Sequence, residues 1–425
     1  MVKINIGGTN KMGQSRLTSS ENKDLPDFLG KLAGNYSNDE SSKVIIFDMA
    51  IKGSDKKFKK FVESTKNIEL IDDYSEQLAE LFVSRSAQLY RAQKEVKQNS
   101  IIDLITGHYS GLPSWRVGSW VYYPWSNKLV HVLEKSLFNE VQTIRNKNLI
   151  TAEEQRKFAD FKIGFAGMSV GSNAAIATTI QGGARQLKLA DNAVISASNL
   201  NRIITGVHNV GKIKSVVMAR QLLEASPYLD LHRVEDNISK ANIEQFFTKP
   251  WKLDLVVDEV DDLEIKVMLR VEARKRRLPV VMVTDLGDDV MLDVERYDLE
   301  DNLPLFHGLA GNIDEVVSQR TLTHREWLRY ATTIINTKNV PIKMQKSLLE
   351  IGTKIVTQPQ LGGTAMSAGA AVAYAIRKIA NGEDLKSGRS ISSFDRDFLK
   401  SGKSLKKKNI HRKHTKSVQR TLDAM

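Results

Sequence analysis

Apolar and polar positions fall into two patterned regions. In the first, Lys43-Val44-Ile45-Ile46-Phe47-Asp48 reads as a buried strand, and Leu78, Leu81 and Phe82 recur at helical spacing. Trp115, Trp120 and Trp125 then gather around Tyr122-Tyr123-Pro124, in a strand-like stretch ending at Leu133. From residue 161 the alternation becomes regular. Phe161 to Ala166 is a strand, Gly167-Met168-Ser169-Val170-Gly171-Ser172 a turn, and Ala174 to Gln181 a small-residue helix. Gln186 to Ala190 is a second strand closed by Asp191, and Lys214 to Ala225 a helix. Leu253 to Val257 is a strand followed by acids, Ile265 to Arg276 a helix, and Pro279 to Thr284 a strand. Strands alternating with helices imply right-handed crossovers and a parallel sheet. The predicted fold class is therefore α/β, a Rossmann-like, mostly parallel sheet with an N-terminal α/β accessory domain. The predicted organisation is a flexible stretch over 1–40, an accessory α/β domain over 41–135, the main domain over 136–390, and a tail over 391–425.

The chain of 425 residues is long enough for two domains, and 41% hydrophobic with 26% charged residues is ordinary for a globular protein. No apolar run reaches the length of a membrane span. Met1-Val2-Lys3-Ile4-Asn5 is not the start of a signal peptide, so the expectation is a cytoplasmic protein without membrane contact. There is no cysteine, which excludes disulfides, thiolate zinc sites and a cysteine nucleophile in this chain. Net charge is +12, and nine of the basic residues lie between Lys400 and Arg420 without one acid. With so little apolar content that tail reads as disordered, either solvated or touching nucleic acid. The tryptophan cluster reads as a ligand platform or as an aromatic patch joining two domains.

The strand–turn–helix at 161–181 carries the candidate chemistry. A glycine turn there sets free helix N–H groups beside a strand end, which is a phosphate site. Gly167, Ser169 and Ser172 occupy the dinucleotide-fingerprint positions, with Gly171 one place early. Asp191, 24 residues after Gly167, ends the second strand, where its carboxylate can accept from ribose hydroxyls. The same residues also spell G-x-S-x-G, the nucleophile elbow of α/β-hydrolases. Ser169 would then be the nucleophile, His307 its base, and Asp285 or Asp258 the acid. Downstream come Ser198-Asn199-Leu200-Asn201-Arg202, then Lys214, then Asp258-Glu259-Val260-Asp261-Asp262. An Arg and a Lys on loops above a phosphate turn can hold a triphosphate, and an Asp at a neighbouring strand end can hold Mg²⁺. Asp285, Asp288 and Asp289 follow the last strand where open α/β sheets bind ligands, or form a solvated acidic loop.

This string of strand, glycine turn, Asp191, Ser-Asn-Leu-Asn-Arg, Lys214 and Asp258-x-x-Asp261 resembles the ThiF family of adenylating enzymes, relatives of ubiquitin-activating enzymes. The small-residue run Gly362 to Ala371 resembles the family's closing helix, and residues 115–150 and 280–310 resemble the ThiF-like module of bacterial nitroreductase fusions. The resemblance implies ATP and Mg²⁺ as cofactors. By it, Gly167, Ser169 and Gly171 form the nucleotide turn, and Asp191 binds the ATP ribose. Asn199 and Arg202 contact the phosphates, Lys214 holds the triphosphate, and Asp261 binds the metal. Arg145 looks like the arginine that reaches a partner subunit's nucleotide, which implies a homodimer.

The expected function is ATP-dependent adenylation of a carboxylate on a peptide, a ubiquitin-like protein or a small acid, with release of pyrophosphate and no thioester step. Arg202, Lys214, Asp261 and Arg145 are the candidate catalytic residues. An NAD(P)- or FAD-dependent oxidoreductase using the same site is the alternative. A further one is a nucleotide- or RNA-binding protein without catalysis.

Overall fold

In the computed structural model, which describes residues 41–401 and 404–424, the early apolar segments build one sheet and the later ones another. The stretch 1–40, expected to be flexible, lies outside the described residues. The first sheet holds β1 (Ile45–Asp48), β2 (Glu69–Asp72), β3 (Ser119–Tyr123) and β4 (Lys128–Val132) in the order β1-β3-β4-β2. β3 runs antiparallel to β1 and β4, and β2 runs parallel to β4. Helix α1 (Ser54–Ser64) buries Phe58 against Phe47, Trp120 and Leu129, and α2 (Tyr74–Arg85) buries Leu78 and Leu81.

The tryptophan cluster splits between two roles. Trp120 lies in the accessory core, stacked on Phe58, with Trp115 packed beside them. Trp125 reaches the main unit, where its Nε1 donates to Glu224 Oε1 and its ring lies under Arg220. Tyr228 seals the same joint by donating to the Leu133 carbonyl at 2.6 Å.

Period-two burial organises the second sheet. In β5 (Lys162–Ala166), Ile163 and Phe165 face one core while Ala166 faces the other. β6 (Gln186–Ala190) and β8 (Leu255–Asp258) repeat this division, Leu187, Leu189, Leu255 and Val257 against Ala190 and Val256. Each fully buried large side chain contributes on the order of 1.5–3 kcal/mol. Both faces are covered, which explains why these strands read as near-continuous apolar runs. With β7 (Asp230–Val234), β9 (Val280–Leu286), β10 (Asp289–Glu295) and β11 (Gly388–Ser393), the sheet order is β11-β10-β9-β8-β5-β6-β7. The five strands from β9 to β7 are parallel, and β10 and β11 add an antiparallel edge. This is the expected α/β, Rossmann-like, mostly parallel fold.

Helices α3 (Val170–Ile180), α4 (Lys214–Ala225) and α7 (Gly362–Ala380) cover one face, and α5 (Leu263–Lys275) covers the other. The small residues of α7 let it approach α3 closely, since a Cβ on Gly369 would come within 2.6 Å of the Asn173 backbone. β5 lies between β6 and β8, so the strand order reverses there, which is where open α/β sheets bind ligands. No helix among the described residues is long and apolar enough to cross a membrane.

The tail departs from its expected disorder. β11 crosses the predicted boundary at 390, and α8 (Leu405–Ala424) is a helix packed on α6 (Ile342–Glu350). Hydrogen bonds replace the apolar content that the tail lacks. Buried Gln345 donates from Nε2 to Thr415 Oγ1 at 2.8 Å, and His414 Nδ1 meets its Oε1 at 3.1 Å. His411 Nε2 lies 2.8 Å from the Val340 carbonyl. Arg412, Lys413, Lys416 and Arg420 stay exposed on the outer side of the helix.

Candidate nucleotide site

Three adjacent strands end at one level. Ala166 of β5 is in register with Ala190 of β6 and with Asp258 of β8. The residues one step beyond, Gly167, Asp191 and Glu259, therefore meet. Gly167 N donates to the Ala190 carbonyl at 2.8 Å and Glu259 N to the Ala166 carbonyl at 2.7 Å. Gly167 has φ of 93°, and a Cβ there would lie 2.3 Å from the Glu259 carbonyl oxygen, so this position requires glycine. The chain then turns into α3, whose first residues include Gly171.

Asp191 ties the turn to β6. Its Oδ2 accepts from Met168 N at 2.8 Å and its Oδ1 from Ala193 N at 2.9 Å. Lys214 Nζ, at the first residue of α4, stands 3.7 Å from Asp191 Oδ2, and both side chains are mostly buried. A carboxylate already fixed by two N–H groups keeps its orientation when a ligand arrives.

Arg202 reaches the turn from the 3₁₀ segment Ala197–Asn201. Its Nε donates to Ser169 Oγ at 3.0 Å, and its Nη1 to Asn201 Oδ1 at 2.9 Å. Burial lowers the guanidinium from its ordinary value, against the pull of Asp261 and Asp285. Asn199 is buried, and its Oδ1 accepts from Ser196 N at 3.1 Å, so that oxygen shapes the 3₁₀ turn.

Beyond β8 the acids divide by environment. Burial pushes the Asp258 carboxyl up, but Lys266 and Arg270 together hold it below its ordinary value. Arg270 also donates to Glu295 Oε2 at 2.7 Å, and Glu295 Oε1 accepts from Tyr297 and from Phe306 N. Asp258 is therefore a structural anchor. Glu259 Oε1 accepts from Val283 N at 2.8 Å, and burial raises its carboxyl well above the ordinary value. Asp262 caps α5 through Glu264 N and Ile265 N. Asp261 is exposed beside this anchored pair and inside the field of Arg202.

The hydrolase arrangement is not assembled. Ser169 Oγ serves Arg202, whereas His307 sits 3.2 Å from Asp293 on β10. Nor does one chain bring Arg145 to the other residues. It is exposed on the 3₁₀ turn Ile144–Asn146, and the neighbouring Asn146 Nδ2 donates to the Gln181 carbonyl, just past the C-terminal end of α3. The glycine turn lies at the opposite end of that helix, roughly 16 Å along its axis.

Residues 143–389, more than half of the chain, match the ThiF family. The chain belongs to the ThiF family. The uncharacterized protein MT1398 of Mycobacterium tuberculosis (strain CDC 1551 / Oshkosh) is 38% identical over 270 residues, 64% of this chain and 37% of that protein. The chain thus spans well under half the length of that curated relative. Among solved structures, PaaA is similar with a TM-score of 0.43 and 15% identity, over 60% of this chain and 78% of PaaA. The E. coli tRNA N6-threonylcarbamoyladenosine dehydratase TcdA gives 0.41 and 19%, over 57% of this chain and 95% of its own. E. coli MccB with AMPCPP and MccA gives 0.41 and 14%, over 75% and 86%.

Asp285 is the site residue whose role the ThiF motif string does not give. Its carboxylate is 2% exposed, and neither oxygen has a hydrogen-bond partner. Burial raises it to about 6, with Arg202 opposing. Asp288, three residues on, is exposed, so the acidic run 285–289 is not one solvated loop. The signal available in the sequence was the strand before it, because Asp285 continues the inward face of Val281 and Val283.

Proposed function

We propose that this ThiF protein adenylates a carboxylate with Mg-ATP, giving an acyl-adenylate and pyrophosphate. The observation that carries this reading is the meeting of Arg202 with the turn serine Ser169, next to Asp191 paired with Lys214 and to exposed Asp261, at the ends of three neighbouring strands. The turn and the N-terminus of α3 supply N–H groups for phosphate oxygens. Asp191 receives the ribose, while Arg202 and Lys214 neutralise the phosphates and Asn199 contacts them through its amide. Substrate carboxylate oxygen attacks the α-phosphorus, and the bond to the leaving pyrophosphate breaks. The chain's contribution is positioning and charge neutralisation, so no side chain acts as a nucleophile.

Asp261 fits a magnesium ion. Magnesium is commonly bound by one or two carboxylates plus substrate phosphates and water, and Asp261 is exposed while Asp258 is held by two cations. Among the described residues no group of three or more metal-ligating side chains exists, which fits a metal brought with the nucleotide. Bound there, the ion would offset charge on the phosphates. Arg145 is assigned to the partner's site in a homodimer, because within its own chain it lies at the wrong end of α3.

ATP–pyrophosphate exchange, screened against peptides, carrier proteins and small acids, tests this reading. Wild type is expected to exchange with one of them, and Asp261→Asn to lose exchange with its fold intact. Stabilisation by NAD(H) and not by Mg-ATP would move the assignment to the oxidoreductase.

A further inference from the structure

Among the described buried acids of the sheet ends, Asp285 is the one left without a partner. Asp258 faces Lys266 and Arg270, Glu295 faces Arg270 and Tyr297, and Asp293 Oδ1 accepts from Arg389. Both oxygens of Asp285 lack a hydrogen bond, in a residue 2% exposed. A buried carboxylate left this way is costly and calls for a compensating group.

The surroundings place Asp285 at the proposed nucleotide. It lies within the field of Arg202, which grips Ser169 of the turn. The segment leading into α7 closes over it. Asn201 Nδ2 donates to the Gln360 carbonyl, Gln358 Nε2 to the Asp285 carbonyl, and Thr364 Oγ1 to the Gly287 carbonyl.

An acyl-adenylate formed here cannot pass to a cysteine of this chain, because the chain has none. We propose that Asp285 receives a primary amine, holds it with both carboxylate oxygens, and takes its protons as it attacks the acyl-adenylate. This rests on the adenylation reading above. An ammonium brings three donors and a full positive charge to two unfilled oxygens, whereas a thiol brings one weak donor.

The step balances as follows in the recess. The docked ammonium passes one proton through Asp285 to water and becomes the neutral amine. Its lone pair forms the C–N bond to the acyl carbon. The acyl C–O bond to the phosphate breaks, AMP leaves with that electron pair, and the second proton passes to Asp285. The products are an amide, AMP and two protons. A carboxyl raised to about 6 is mostly ionised at pH 7 and close enough to that pH to shuttle protons.

The test uses the full chain, free and loaded with AMP, and ethylammonium as the probe, with ethanol and ethanethiol as controls of similar size. Saturation-transfer NMR is expected to detect ethylammonium and neither control. Asp285→Asn should lose that signal, and Asp288→Asn, altered at an exposed neighbour, should keep it. With a carboxylate found by pyrophosphate exchange, Asp285→Asn should lower ethylamide formation relative to its own exchange rate by about 100-fold, the low end for a general base. Equal binding of ethanethiol or ethanol would overturn the amine assignment. So would an Asp285→Asn variant that binds ethylammonium and forms ethylamide as wild type does. Ethylammonium binding that depends on Asp285, in a chain showing no exchange with any carboxylate, would overturn adenylation and leave the amine site standing.

Discussion

Asp285→Asn is expected to make the protein more stable at neutral pH. The carboxyl is 2% exposed and without a hydrogen bond, and burial raises it from 3.8 to about 6. The folded chain therefore holds this proton more tightly than the unfolded chain does. Between pH 3.8 and about 6 the unfolded state releases its proton first, so folded stability falls as pH rises through this window. Above it the whole cost is present, ~3 kcal/mol at about 1.4 kcal/mol for each tenfold change in proton affinity. Below pH 3.8 both states are protonated and the cost vanishes. Asparagine has nearly the same shape and no charge, so it removes this cost while leaving a neutral amide to be desolvated. The gain should then be about 2–3 kcal/mol at pH 7 and a few tenths at pH 3.5. Urea unfolding of both chains at the two pH values reads the difference directly. An unchanged or lower midpoint for the variant at pH 7 would refute the argument, because it would mean that Asp285 is compensated in the folded protein. A residue retained at a stability cost, next to a proposed reaction centre, is the usual form of the trade between stability and activity.

Arg270→Met should destabilise the fold by ~3–5 kcal/mol, since it takes away the guanidinium shared by two buried carboxylates and leaves Asp258 with Lys266 alone and Glu295 with neutral donors. An unchanged urea midpoint would contradict this. Ser169→Ala should keep pyrophosphate exchange within about tenfold, because its hydroxyl only seats Arg202, whereas removing a catalytic serine costs several orders of magnitude. An inactive variant that still binds ATP would restore the elbow reading. Mixing Arg145→Ala with Asp261→Asn should recover part of the activity, because one site of the mixed dimer would hold both intact groups. No recovery despite demonstrated subunit exchange, or a monomer at working concentration, would remove Arg145 from the mechanism.

What the sequence determined by itself was local. The strand at 161–166, its glycine turn and the helix after it were legible because burial on two sides makes a short apolar run and a tight turn demands glycine. Asp191 was legible because a strand-end acid sits at a fixed distance beyond that turn. The small-residue run of α7 was legible as a helix, since close packing on α3 leaves no room for larger side chains. Other features depended on which strands lie side by side. Asp258, Asp261 and Asp285 are the same residue type at neighbouring strand ends, yet one is clamped by two cations, one is exposed, and one is buried without a partner. The tail resembled a disordered segment by composition, and it is instead a helix that buries Val418 and joins Gln345, more than sixty residues earlier, through His414 and Thr415. Arg145 lay close in sequence to the first strand, but its turn is tied to the far end of α3. Burial and charge pairing are set by contacts between distant segments, so composition and spacing could name these residues but could not assign their environments.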